Sequence, residues 1–133
     1  MDRTSARAAA MKLAYEWEMG GDGGDPTLSD LLGIQPGENE ADYMDTLLNG
    51  VKGNANALDE LIVKYLTADW KIGRLMKIDL CILRVAIYEM VYLKLGVGVA
   101  INEAVELAHV YSMPEAGPLI NGVLGALARD MGL

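Results

Sequence analysis

The 133-residue chain carries 11 basic and 19 acidic side chains, a formal net charge of −8, with 52% hydrophobic residues and one cysteine. That length suits a single domain over 1–133, and the apolar fraction excludes an acidic disordered protein. Asp79, Arg84, Glu89 and Lys94 interrupt the most apolar stretch, residues 78–95, which excludes a membrane span, while the N-terminus lacks the apolar run of a secretory signal.

Glycine and proline punctuate the chain, and between the breaks the apolar spacing is helical throughout. Thr4 or Ser5 can cap a first helix with Ala6, Ala9, Leu13 and Trp17 on one face. Thr27 and Asp30, ahead of Leu31 and Leu32, start a short second helix that Gly33 ends. Met44, Leu47, Leu48 and Val51 mark a third, and Leu58, Leu61, Ile62, Tyr65 and Leu66 a fourth. Asp79 can cap a fifth helix running to Leu95, which is apolar almost all round and therefore central. Ile101, Ala104, Val105 and Ala108 mark a sixth; Ile120, Val123, Leu124, Leu127 and Met131 mark a seventh. No two-residue alternation is sustained, so no strand is expected. The expected fold is all-α, about seven helices packed as two small bundles. Its core comprises Leu13, Trp17, Leu47, Leu48, Leu61, Ile62, Ile82, Val85, Ala86, Ile101, Val105, Val123 and Leu124.

Chemistry for catalysis is sparse. His109 is the only histidine and has no second ligand at a metal spacing, so it reads as a helix-end or core residue. Cys81 lies in the apolar fifth helix and reads as a small buried hydrophobe; a lone cysteine forms no internal disulfide, which fits a reducing, cytoplasmic setting. Glu103 and Glu106 are three apart and could share a metal, but a solvated or salt-bridged face is the commoner origin of such a pair. The Gly20–Gly24 stretch follows a helix rather than a strand and precedes no lysine, so it is no phosphate cradle. Neither catalytic residue, metal nor cofactor is expected.

Charge is uneven along the chain. Residues 1–12 hold Arg3, Arg7 and Lys12 against Asp2, a net +2; residues 13–60 hold eleven acids against Lys52 alone, a net −10. Arg3 and Arg7, four apart, share a helix face near its start, and Lys71, Arg74 and Lys77 recur at three-residue intervals before the fifth helix. Either set could meet phosphates, although basic residues at such spacing are commonly just solvated.

Three segments carry a family resemblance. They are Ile82-Leu83-Arg84-Val85-Ala86-Ile87-Tyr88-Glu89-Met90, Val99-Ala100-Ile101-Asn102-Glu103-Ala104-Val105-Glu106-Leu107-Ala108, and Ile120-Asn121-Gly122-Val123-Leu124. Read together, with a fainter match from Ala6-Arg7 through Tyr15 and Trp17, they resemble the NusB family of antitermination proteins. Taken as bare residues, Asn102 and Asn121 are amides on apolar helices that must find partners or cost about 1–3 kcal/mol. Arg84 and Glu89 suit ion pairs with neighbouring helices, Gly122 suits a close helix approach, and Glu103 completes the signature.

The resemblance implies a small non-enzymatic helical protein of two three-helix bundles. It would bind the small-subunit ribosomal protein NusE and, with it, a single-stranded element of leader ribosomal RNA within the RNA polymerase antitermination complex. Arg3, Arg7 and Lys12 on the first helix would meet phosphates, and Leu119 would stand where the family often has a base-stacking phenylalanine. Asp79, Arg84 and Glu89 would belong to the partner-binding face. Relatives occur as monomers and homodimers, so a homodimer is allowed.

Departures from the family fall on the RNA surface: two arginines replace a run of them, Pro118 and Leu119 replace lysine and phenylalanine, and Gly96-Val97-Gly98 lacks the usual proline and basic residue. They give the alternative of a divergent protein-interaction module with weak or no RNA binding. The NusB-like domain of some ribosomal RNA cytosine methyltransferases is a third reading, but it would need a cofactor-binding domain, and no glycine-rich strand–turn–helix motif is present.

Overall fold

A computed structural model describes residues 2–21, 41–66 and 72–133. The regular structure among them is helical throughout: α1 (Arg3–Glu18), α2 (Ala41–Tyr65), α3 (Lys77–Ile87), α4 (Val97–Tyr111) and α5 (Ala116–Met131). A 3-10 turn at Ile72–Arg74 precedes α3, and a π-helical turn at Tyr88–Tyr92 extends it. The all-α expectation holds, but the count of seven becomes five α-helices among the described residues. The expected helix at Thr27–Leu32 lies outside those residues. The third and fourth are one element, kinked at Asn54 (φ −125°, ψ 16°). There the Asn54 amide donates to the Gly50 carbonyl at 2.8 Å, a side-chain bond at the break in the backbone ladder.

Two expected caps are also corrected. Asp2, not Thr4 or Ser5, caps α1: its carboxylate accepts from the Ser5 N–H at 2.8 Å, and that bond lowers its pKa. Met76 occupies the cap of α3 with no side-chain bond, leaving Asp79 inside the first turn. The chain past α5 closes through Gly132, whose left-handed φ of 69° lets Leu133 N–H reach the Ala128 carbonyl at 2.9 Å.

α3 is central because it is apolar almost all round: every residue from Asp79 to Ile87 is buried. α1 and α2 pack against one side of it, and α4 and α5 pack on each other and on the remainder, with α5 also reaching α2. Of the expected core, Leu13, Leu47, Leu48, Ile62, Ile82, Val85, Ala86, Val123 and Leu124 are buried. Trp17, Leu61, Ile101 and Val105 are only half-buried, since they stand on the flanks of their helices, three of them beside surface grooves or the kink.

Gly50, which no sequence signal singled out, lies directly against the ring of Tyr88. A Cβ built there would lie 2.1 Å from Cζ of Tyr88, whose ring stacks on Tyr92 with centroids 5.1 Å apart. Alanine normally improves a helix interior by about 1 kcal/mol over glycine. Gly50→Ala is nevertheless expected to lower stability by about 1–3 kcal/mol through overpacking, and to become neutral or stabilising in a Tyr88→Ala background. Urea denaturation of the four variants of this cycle checks it. Gly122, expected to bring two backbones together, is exposed, and a Cβ there would meet nothing within 4 Å.

Candidate functional site

The three basic residues of α1 do not share a surface. Arg7 is 4% exposed, its Nε lying 2.9 and 2.8 Å from the two carboxylate oxygens of Glu89, which is 1% exposed. Glu103 approaches the same guanidinium at 3.6 Å and also accepts from the Thr4 hydroxyl at 3.1 Å. The expectation that Arg7 faces solvent beside Arg3 is therefore overturned: its guanidinium is committed inside the molecule and unavailable to a phosphate. Tyr43 of α2 donates its phenol proton to Glu89, and burial together with that carboxylate pushes its pKa up to about 12. Arg3 lies over the other end of this cluster, 4.0 Å from the Tyr43 ring centroid, on the α2 flank.

Lys12 sits on the opposite flank, as nine residues of an α-helix require by turning about half a revolution beyond two full turns. Its ammonium is 4.9 Å from the Tyr111 ring centroid at the end of α4. The next residue, Ser112, donates its hydroxyl to Asp79 at 2.5 Å. Asp79 in turn borders a groove of about 250 Å³ that also holds Arg74, Met76, Met113, Glu115 and Leu119. Lys12 thus lies against the end of α4, Asp79 and Leu119 border one groove, and Arg3 lies against α2. Arg74 and Met113, which no functional reading of the sequence had placed beside Leu119, line that groove with it; the Arg74 repeat toward Lys77 was the one available signal.

The proposed partner face of Asp79, Arg84 and Glu89 is corrected as well, since all three are buried. Burial raises the Asp79 pKa, with the Ser112 bond opposing it. Arg84 spans two acids, its Nε and Nη2 each 2.8 Å from Asp59 and its Nη1 2.6 Å from Glu18. Burial acts to lower the Arg84 pKa, but the bonds and charges of Asp59 and Glu18 overcome it and the net shift is upward. The ion pairing expected of Arg84 and Glu89 is real, and it joins helices of this chain. What remains for a partner near α3 is its rim, where Arg74, Met76 and Lys77 are exposed.

Asn102 and Asn121 are likewise not buried amides. Both are exposed and line a groove of about 580 Å³ between α4 and α5, with Ile101, Val105, His109 and Pro118. The side chain of His109 is 58% exposed in the last turn of α4, 3.8 Å from Glu106. Cys81 is fully buried and burial pushes its thiol up to about 12, so it packs as an inert hydrophobe. No helix among the described residues is long and apolar enough to cross a membrane.

Comparisons with known proteins agree on one family. The NusB transcription antitermination protein of Acetivibrio thermocellus is 40% identical over 131 residues, covering 97% of this chain and 90% of that protein. A Thermoanaerobacter NusB is 37% identical over 100% of this chain and 94% of its own length. Among solved structures, Thermotoga maritima NusB superposes with a TM-score of 0.83 at 26% identity, covering 98% of this chain and 92% of that one. NusB in a complex of NusB and NusE with double-stranded RNA gives 0.84 at 26% identity, covering 96% of both chains. With the family model matching residues 4–129 as well, the chain belongs to the NusB family.

Proposed function

We propose that this chain is a transcription antitermination factor of the NusB type, holding leader ribosomal RNA together with the ribosomal protein NusE within the RNA polymerase antitermination complex. The carrying observation is near full-length membership of a family whose curated relatives bear that name and whose solved relatives include a complex with NusE and RNA. Its role is non-enzymatic and cytoplasmic. With Arg7 withdrawn into the fold, α1 offers phosphate only Lys12 beside Tyr111 and Arg3 at its start, so RNA affinity depends on the partner. Fluorescence anisotropy of a labelled single-stranded leader RNA is expected to show weak binding by the protein alone. Binding strengthens when NusE is added and falls with salt, by about 0.7 in log–log slope per phosphate contact. Absence of binding at low salt, with and without NusE, rejects the RNA half of the reading.

The burial of Arg7 and the residues Pro118 and Leu119 favour one other reading, a protein-interaction module whose RNA contacts have faded. It predicts that NusE binds while RNA adds nothing to the complex. Light scattering at two concentrations separates a monomer from a homodimer before either titration.

A further inference from the structure

Between α1 and α4 runs a further cleft, of about 450 Å³, that shares no lining residue with the Leu119 groove. Ser5 and Ala8 line it from α1; Glu103, Glu106, Val110 and Tyr111 line it from α4. We infer that this cleft receives an arginine or lysine side chain from a basic polypeptide partner. The inference rests on the reading above for the partner's identity, the ribosomal protein NusE.

Three features converge on that ligand. The first is an uncommitted carboxylate. Glu103 is held by Thr4 and Arg7, whereas the Glu106 side chain is 62% exposed and, among the described residues, has only His109, 3.8 Å away and beyond hydrogen-bond distance. The second is an aromatic face that already accepts a cation, since the chain's own Lys12 stands 4.9 Å from the Tyr111 ring centroid and Tyr111 is 39% exposed. The third is an aliphatic ledge: Val110, at 69% exposure, can pack the methylene stem of a long cationic side chain while its head group reaches Glu106. Stem, ring and carboxylate together match arginine better than any anion. Two carboxylates and no lysine or arginine are among the described residues lining the cleft, and the cations beside it, Arg7 at Glu103 and Lys12 at Tyr111, are already engaged, so a phosphate chain would meet the unpaired Glu106 there.

Calorimetric titration of the full chain with purified NusE, at low and high salt, tests this. Glu106→Gln and Tyr111→Leu are each expected to weaken binding about two- to fivefold, the range for an exposed ion pair or cation–π contact. Glu106→Gln also flattens the salt dependence, and Tyr111→Phe, which keeps the ring, binds as the unaltered protein does. A benzophenone amino acid in place of the exposed Val110 is expected to cross-link to NusE, a readout that does not depend on small changes in affinity. If the unaltered protein binds NusE but both Glu106→Gln and Tyr111→Leu bind equally well and Val110 yields no cross-link, the cleft assignment is wrong and the antitermination reading stands. Cross-linking at Val110 to RNA, or loss of RNA binding alone, overturns the cleft in favour of a nucleotide site. Failure of the unaltered protein to bind NusE removes both.

Discussion

Arg7→Met is expected to lower the free energy of unfolding by about 3–5 kcal/mol, because it strands the Glu89 carboxylate in the interior. Glu89 is 1% exposed; among the described residues Arg7 supplies its one formal positive partner at hydrogen-bond distance, and the Tyr43 phenol supplies a neutral donor that cannot balance the charge. A loss of that size is a large part of the total stability of a domain this small, about 5–15 kcal/mol. Arg7→Met combined with Glu89→Met is expected to recover most of the loss, since replacing a whole buried pair by apolar groups is often neutral. Guanidinium denaturation measures each variant. The salt slope of RNA binding by the folded Arg7→Met protein should not change; a drop of about 0.7 would mean that Arg7 touches phosphate after all.

The other large effect is a gain. Pro118→Lys with Leu119→Phe is expected to raise affinity for single-stranded leader RNA about 5- to 150-fold, the equivalent of about 1–3 kcal/mol for one base stacked on an aromatic ring. Leu119 is half-buried at the border of the groove with Arg74, Met76 and Met113, so a ring there has apolar support below and a cation beside it. Pro118 is exposed in the first turn of α5, where its missing N–H leaves no intrahelical bond unmade and lysine fits without repacking. Anisotropy in the presence of NusE gives the affinity. An unchanged affinity would show that the groove does not face RNA and would move the case to the protein-interaction reading.

Much of the fold was legible from the sequence because helical periodicity is local. The run from Ile78 to Leu93 is apolar on almost all sides, and that fact alone places α3 at the centre. Location of charge was legible only in part. Arg3 and Arg7 are equivalent by helix geometry, and what separates them is Glu89, 82 positions away in sequence from Arg7. A clue existed: Arg7 stands among alanines at 6, 8, 9 and 10, and Glu89 within an apolar helix, a pattern that favours a buried pair over two solvated ends. The same rule, applied to Asp79 and Arg84, would have turned the partner face inward. The amides ran the other way: Asn102 and Asn121 sit amid apolar neighbours yet face the opening between α4 and α5, because a helix flank can be polar without interrupting its buried stripe. The kink at Asn54 was invisible because Met44 to Val51 and Leu58 to Leu66 are each in phase, and the glycine between them, Gly53, reads as a break rather than a bend.

The widened turn at Tyr88–Tyr92 sets a limit on transplanting this helix. Leu93 N–H bonds back five residues to the Tyr88 carbonyl at 3.2 Å, and Leu95 N–H reaches Glu89 at 2.9 Å, so the segment carries one residue more than α-helical winding would allow. A designer who copied α3 onto another scaffold and continued it with ideal winding would rotate everything beyond Ile87 by about 100°. The acid that now faces Arg7 would swing toward a neighbouring sector, and the tyrosine pair would come unstacked. Deleting a single amino acid inside the turn, rather than substituting one, is the edit that would restore phase in such a graft.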